Sequence, residues 1–148
     1  MNLLKEWKML SKEFLDRIRE DLKPLEKYAF AIVLYGSVLT PYFSERSDID
    51  VAIITKSKDR EYNKKVWAEA LKLAGKGYDI KVFELLPLWL KAEIIRNYKV
   101  IYGNRAELSE YFYFFRKLWK DIEFRIKRNK PREIKEMKEG ISNLKKLR

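Results

Sequence analysis

The run Tyr28-Ala29-Phe30-Ala31-Ile32-Val33-Leu34-Tyr35, closed by Gly36, constrains the fold more than any other segment. It has the length of a strand, it is rich in β-branched and aromatic residues, and no polar residue alternates within it. A strand of that kind reads as buried on both faces. Extended to Leu39, the apolar stretch is interrupted by Gly36 and Ser37, and it falls well short of the ~20 residues that span a bilayer. No membrane helix is expected. The segment Met1-Asn2-Leu3-Leu4-Lys5-Glu6 lacks the apolar core and cleavage site of a secretion signal, so a cytoplasmic location is expected.

Segments around this run fit an α/β arrangement. Leu3, Leu4, Trp7, Leu10, Phe14, Leu15, Ile18 and Leu22 recur at the spacing of one helical face, and Pro24 stops that helix. Asp48 to Ile54 reads as a second strand, Asp59 to Ala74 as a helix stopped by Gly75 and Gly77, and Tyr78 to Glu84 as a third strand. Pro87 opens a short helix through Arg96, and Lys99 to Tyr102 reads as a short edge strand closed by Gly103-Asn104. Leu108, Phe112, Phe115, Leu118, Trp119, Ile122 and Ile126 then form the apolar stripe of a long helix, broken at Asn129-Lys130-Pro131 before a last basic helix. With 148 residues, a single domain is expected. It consists of a core over about residues 26–104 and a helical extension over about 105–148.

Composition then limits the chemistry. The chain contains no His and no Cys, which excludes disulfides, Cys/His zinc sites and Ser-His or Cys-His catalytic pairs. Catalysis must rest on carboxylates, Lys, Arg, Ser, Thr or Tyr, and a bound metal must accept oxygen ligands. The net charge is +11. From Lys120 to Arg148 there are eleven basic and five acidic residues, so more than half of the excess lies in the last fifth of the chain. It reads as a solvated helix face, with RNA or an acidic partner as the sharper and less favoured alternative. The stripe from Leu108 to Ile126 reads as core, and its aromatic load leaves room for a dimer or partner surface.

The stretch that carries chemistry is Gly36-Ser37 followed by Asp48-Ile49-Asp50-Val51. Two acids separated by one residue at a strand start share a face, because strand side chains alternate. Asp48 and Asp50 are therefore neighbours. Like charges so close call for a cation, and Mg²⁺ suits carboxylate oxygens. Gly36-Ser37 follows a buried strand where the backbone can approach a ligand, and its N–H groups and hydroxyl suit phosphate oxygens. Phosphate beside a carboxylate-bound metal is the arrangement that nucleotidyl transfer requires. Asp79 on the next strand is placed to be the third acid, with Glu84 its rival on the other strand face. Lys81 shares a face with Asp79 and reads either as a phosphate contact or as a plain ion pair with an Asp.

These motifs resemble the nucleotidyltransferase superfamily of DNA polymerase β-like folds, and over about residues 26–104 they are most similar to the minimal nucleotidyltransferases of prokaryotes. The resemblance implies a small mixed sheet flanked by helices, with added N- and C-terminal helices. It also implies ATP as donor, two Mg²⁺ ions, and transfer of AMP to an acceptor hydroxyl with release of pyrophosphate. On this resemblance Gly36 and Ser37 would hold the triphosphate, Asp48 and Asp50 would bind the metals, and Asp79 would join them and activate the acceptor. Several family members are similar to antitoxins that adenylylate a tyrosine of a helical HEPN-domain ribonuclease toxin, which implies such a partner here. Relatives often carry Arg-Gly after the Gly-Ser, where this chain has Thr40-Pro41-Tyr42-Phe43, with Arg46 as a cation in the same loop. Two rival expectations remain: a catalytically weak subunit that neutralises a toxin by contact, and a basic RNA-binding protein whose acids are incidental.

Overall fold

The structure, a computed structural model, describes residues 11–44, 46–128 and 138–139. Helix α1 (Lys12–Leu22) begins at Ser11, whose side chain caps the Phe14 N–H. The expected helical turns from Leu3 to Leu10 lie outside the described residues, as do the break at Asn129-Lys130-Pro131 and all but two residues of the last basic helix expected after it. Pro24 diverts the chain into a 3₁₀ segment, Lys23–Tyr28, so the first strand is shorter than expected: β1 is Ala31–Tyr35. The others are β2 (Ile49–Ile54), β3 (Tyr78–Val82) and β4 (Tyr98–Tyr102). The helices that follow α1 are α2 (Arg60–Leu71), α3 (Leu88–Arg96) and α4 (Arg105–Arg128).

The strands form one four-stranded sheet in the order β3-β2-β1-β4. β1 is antiparallel to both β2 and β4, whereas β2 and β3 run parallel. A parallel pair needs a crossover, and α2 supplies it. The expected edge position of the last strand is borne out.

All five residues of β1 are buried, and alternation divides them between two cores. Ile32 and Leu34 join Val51, Ile53 and Ile80 against Leu15, Ile18 and Leu22 of α1 and Val66 and Ala70 of α2. Ala31 and Val33 join Ala52 and Ile54 against Leu90 and Ile94 of α3 and Leu108 and Phe112 of α4. An uninterrupted apolar strand is what helices on both faces require. Of the α4 stripe, only Leu108 and Phe112 are fully inside; Phe115 and Trp119 pack on the edge of the core, and Leu118 is exposed. The stripe is thus core at its first turns and surface beyond them, because a 24-residue helix outruns a short sheet, at ~1.5 Å per residue.

Candidate functional site

Tyr35 ends β1 in extended conformation, and Gly36 starts a 3₁₀ turn, Gly36–Leu39, with φ +77°. This left-handed conformation is the reason for glycine at that position. There is also a steric reason. A Cβ on Gly36 would stand 2.5 Å from Asp50 Oδ2. The backbone therefore passes directly against the Asp50 carboxylate. The loop beyond the turn is held locally: the Ser37 carbonyl accepts both the Thr40 N–H and the Thr40 hydroxyl, at 2.9 and 2.8 Å. Phe43 is buried in the α1/α2 core, while Tyr42 next to it is exposed. In place of Arg-Gly, the segment Thr40-Pro41-Tyr42-Phe43 thus anchors the loop by an aromatic plug.

Asp50 lies across from Tyr35 in the antiparallel β1/β2 pair and from Asp79 in the parallel β2/β3 pair. Neighbours in register on adjacent strands point to the same face, here the α3/α4 face, which also receives Ala52 and Tyr35. Lys81, two residues along β3, places Nζ 2.7 Å from Asp79 Oδ2. Its side chain is only 15% exposed, against 45% for that of Asp79. A mostly buried ammonium thus neutralises part of the paired negative charge.

These groups line a cavity of about 370 Å³ walled by Tyr35, Gly36, Thr40, Asp50, Asp79, Lys81, Leu90, Glu93 and Asn97. Four of the six expected residues, Gly36, Asp50, Asp79 and Lys81, share that wall. Ser37 stands beside it in the turn, and Asp48 is exposed one residue ahead of β2, outside the wall. Among the described residues no group of three acidic side chains stands assembled for a metal ion. The donor chemistry nevertheless suits a hard divalent cation: Asp50 and Asp79 are oxygen donors in register, with the side-chain-free Gly36 leaving approach to Asp50 open.

Glu93 on α3 and Asn97, the extended residue that ends it, are not marked by the sequence pattern. Glu93 shares a helix face with Leu90, but only the packing of α3 over the sheet end shows that this face looks onto the acids. Glu84, the rival to Asp79, is elsewhere. The strand stops at Val82 and a 3₁₀ turn carries Glu84 to the opposite end of the sheet. There its carboxylate accepts the Thr55 and Lys56 N–H groups at 3.0 and 3.1 Å and the Tyr111 hydroxyl at 2.8 Å. Its role is to tie the loop after β2 to α4. Burial, reinforced by Glu84, raises the Tyr111 phenol well above its ordinary range.

A parallel pair of strands with a carboxylate at the start of each, a glycine turn closing against them and helices on both faces make a mixed-sheet α/β domain with an acidic cavity at one end of the sheet. Residues 17–107 match the family described as "Polymerase beta, Nucleotidyltransferase". The chain belongs to this family, and it is a nucleotidyltransferase. Over 107 residues it is 45% identical to a Methanocaldococcus jannaschii protein named "Putative protein adenylyltransferase MJ1547", covering 72% of this chain and 83% of that one. Among solved structures, it resembles a chain of a toxin-antitoxin pair determined with AMP-PNP, at TM-score 0.60 and 14% identity, over 77% of this chain and 93% of that one. A second is a chain from the complex of a tri-AMPylated Shewanella oneidensis HEPN toxin with an MNT antitoxin, at TM-score 0.55 and 14% identity, over 77% and 90%. At such identities the two structures speak for the fold alone. No described helix is long and apolar enough to cross a membrane.

Proposed function

We propose that this chain transfers AMP from ATP to a tyrosine hydroxyl of a HEPN-type toxin in the cytoplasm, and so acts as an antitoxin. The observation that carries the reading is the register of Asp50 beside Asp79 against the Gly36 backbone. The names of the relative and of the structural neighbours support the acceptor class.

In this reading the N–H groups of the Gly36-Ser37 turn receive the phosphate oxygens of ATP. Mg²⁺, held by Asp48, Asp50 and Asp79 as two ions, would supply charge neutralisation along the triphosphate. Asp48 would join them from its exposed place one residue ahead of β2. The acceptor oxygen bonds to the α-phosphorus, the bond from that phosphorus to the bridging oxygen breaks, and pyrophosphate leaves with the electron pair. Asp79 takes the acceptor's proton once Lys81 turns from it to the phosphates. The residues act chiefly by positioning and by electrostatic stabilisation, as phosphoryl chemistry requires.

The Lys81–Asp79 pair also favours a second reading, a subunit that binds nucleotide but turns over weakly and neutralises its partner by contact. Incubation with labelled ATP, Mg²⁺ and a HEPN-type protein, wild type beside Asp48→Asn/Asp50→Asn, separates the two. Label on a tyrosine with wild type only is the expected result. Neutralisation without label supports contact alone, and neither label nor ATP binding by calorimetry overturns the transferase reading.

A further inference from the structure

A second and larger cavity stands apart from the one that holds the acids. It lies at the opposite end of the sheet, measures about 1490 Å³, and shares no lining residue with the acidic site. Its walls come from the loop after β2 (Lys56, Ser57, Lys58), the start of α2 (Arg60, Asn63), the segment Glu84 to Pro87, Lys91 of α3, and one face of α4. The volume exceeds the ~300–1,000 Å³ of ordinary small-molecule sites.

The chemistry of these walls is uneven. One side carries Lys56, Lys58 and Arg60, with Lys91 deeper in; among the described residues, no ion pair engages any of the four. Lys56 stands at φ +59°, a conformation that residues other than glycine rarely adopt. Glu84 accepts the Lys56 N–H, and the Lys56 ammonium lies 4.6 Å from the centre of the Phe30 ring and 5.5 Å from that of Tyr111. Lys91 likewise lies 4.9 Å from the Phe115 ring, and burial lowers its pKa. Rings thus face both cations, and the Glu84 charge acts on Lys91 from a distance. The Glu84 charge is already spread over the Thr55, Lys56 and Tyr111 donors. Phe114 adds an aromatic face that is 63% exposed. Across from the basic loop, α4 presents the carboxylates of Glu107 and Glu110, both exposed.

We propose that this cavity is a second nucleotide site, which takes a nucleoside phosphate with an amino-bearing base. The phosphate meets Lys56, Lys58 and Arg60, the base stacks on Phe114, and the exocyclic amino group donates to Glu107 or Glu110. An all-acceptor anion would be repelled by the α4 carboxylates, and a simple cation by the loop. A ligand with a phosphate at one end and N–H donors at the other fits both. The same chemistry is presented by a free mononucleotide and by the 5′-phosphorylated end of an RNA strand. The inference is independent of the transfer reaction at Asp50 and Asp79.

The test is equilibrium dialysis in EDTA of the full chain carrying Asp48→Asn/Asp50→Asn, with wild type beside it, using AMP, GMP, CMP, UMP, inorganic phosphate and a 5′-phosphorylated oligoadenylate as probes. One AMP per chain is expected to bind in both proteins, with UMP at least about fivefold weaker. Lys58→Glu/Arg60→Glu, both at exposed positions, is expected to weaken AMP about tenfold or more. Phe114→Ser is expected to weaken it about fivefold or more. Melting curves of both variants should match wild type. Tighter binding of either AMP or the oligonucleotide upholds the site and identifies its natural source. Binding of phosphate as tight as AMP, no preference over UMP, indifference to these variants, or no binding in EDTA overturns the proposal. So does binding of a polyglutamate peptide where no nucleotide binds, which would make the cavity a protein-docking surface.

Discussion

Replacing Gly36 by alanine tests whether the acid pair depends on the backbone beside it. Two costs follow from the geometry. The left-handed φ of +77° disfavours any residue with a Cβ, by about 1–2 kcal/mol. The new Cβ would also stand 2.5 Å from Asp50 Oδ2, and that contact ends on the far atom of a side chain, so the carboxylate swings away and the backbone stays. Stability should therefore fall by about 1–2 kcal/mol, a drop of roughly 2–8 °C in melting temperature for a chain of this size. Transfer should fall much further, by about a hundredfold, because a shift near 1 Å of a group that must be positioned costs that much. Gly77 provides the control: its φ is +90° and a Cβ there meets nothing within 4 Å. Gly77→Ala carries the backbone strain without displacing a carboxylate. Melting by circular dichroism and labelled AMP transfer, measured on both variants, should show similar losses of stability and a loss of transfer confined to Gly36→Ala. Equal transfer by the two variants would refute the role given to the Gly36–Asp50 approach.

Four further outcomes follow from the geometry. Lys81→Met removes the cation 2.7 Å from Asp79, so millimolar Mg²⁺ should raise the melting temperature of the variant by several degrees more than that of wild type; equal shifts would separate the pair from metal binding. Glu84→Gln leaves the Thr55, Lys56 and Tyr111 donors sharing one amide oxygen, which should cost about 1–3 kcal/mol in urea unfolding while the transfer rate of the folded protein is unchanged. Phe112→Ala, at a fully buried ring packed against Phe83 and Tyr98, should cost about 3–5 kcal/mol in the same assay. The phenols of Tyr78 and Tyr111 are both raised from the ordinary 10.0, first by burial and then by Asp21 and Glu84 respectively. The unfolded chain therefore loses these protons at lower pH than the folded one. Stability from this source is complete below pH 10.0 and declines as pH rises above it, which a pH series of denaturation midpoints will show; Lys91, with its pKa lowered by burial, works in the opposite direction.

Much of this molecule is legible residue by residue, because the relevant physics is local. Alternation placed Asp50 and Lys81 on usable faces, Gly36 marked the turn, and the continuous apolar run of β1 read as buried on both faces. The absence of His and Cys already confined the chemistry to oxygen ligands and cations. What no local pattern contains is pairing between strands distant in sequence. The parallel register that sets Asp50 against Asp79 arises only when α2 carries the chain back beside β2. The same holds for Glu84, which reads in the sequence as the rival of Asp79 on the other strand face; it lies beyond the far end of β3 in a 3₁₀ turn, where it lines a different cavity. Glu93 and Asn97 have no meaning until α3 packs over the acids. The sequence by itself determined which groups are available and which face of each element bears them; the tertiary structure alone decided which groups meet, because strand register and helix placement are set by long-range packing.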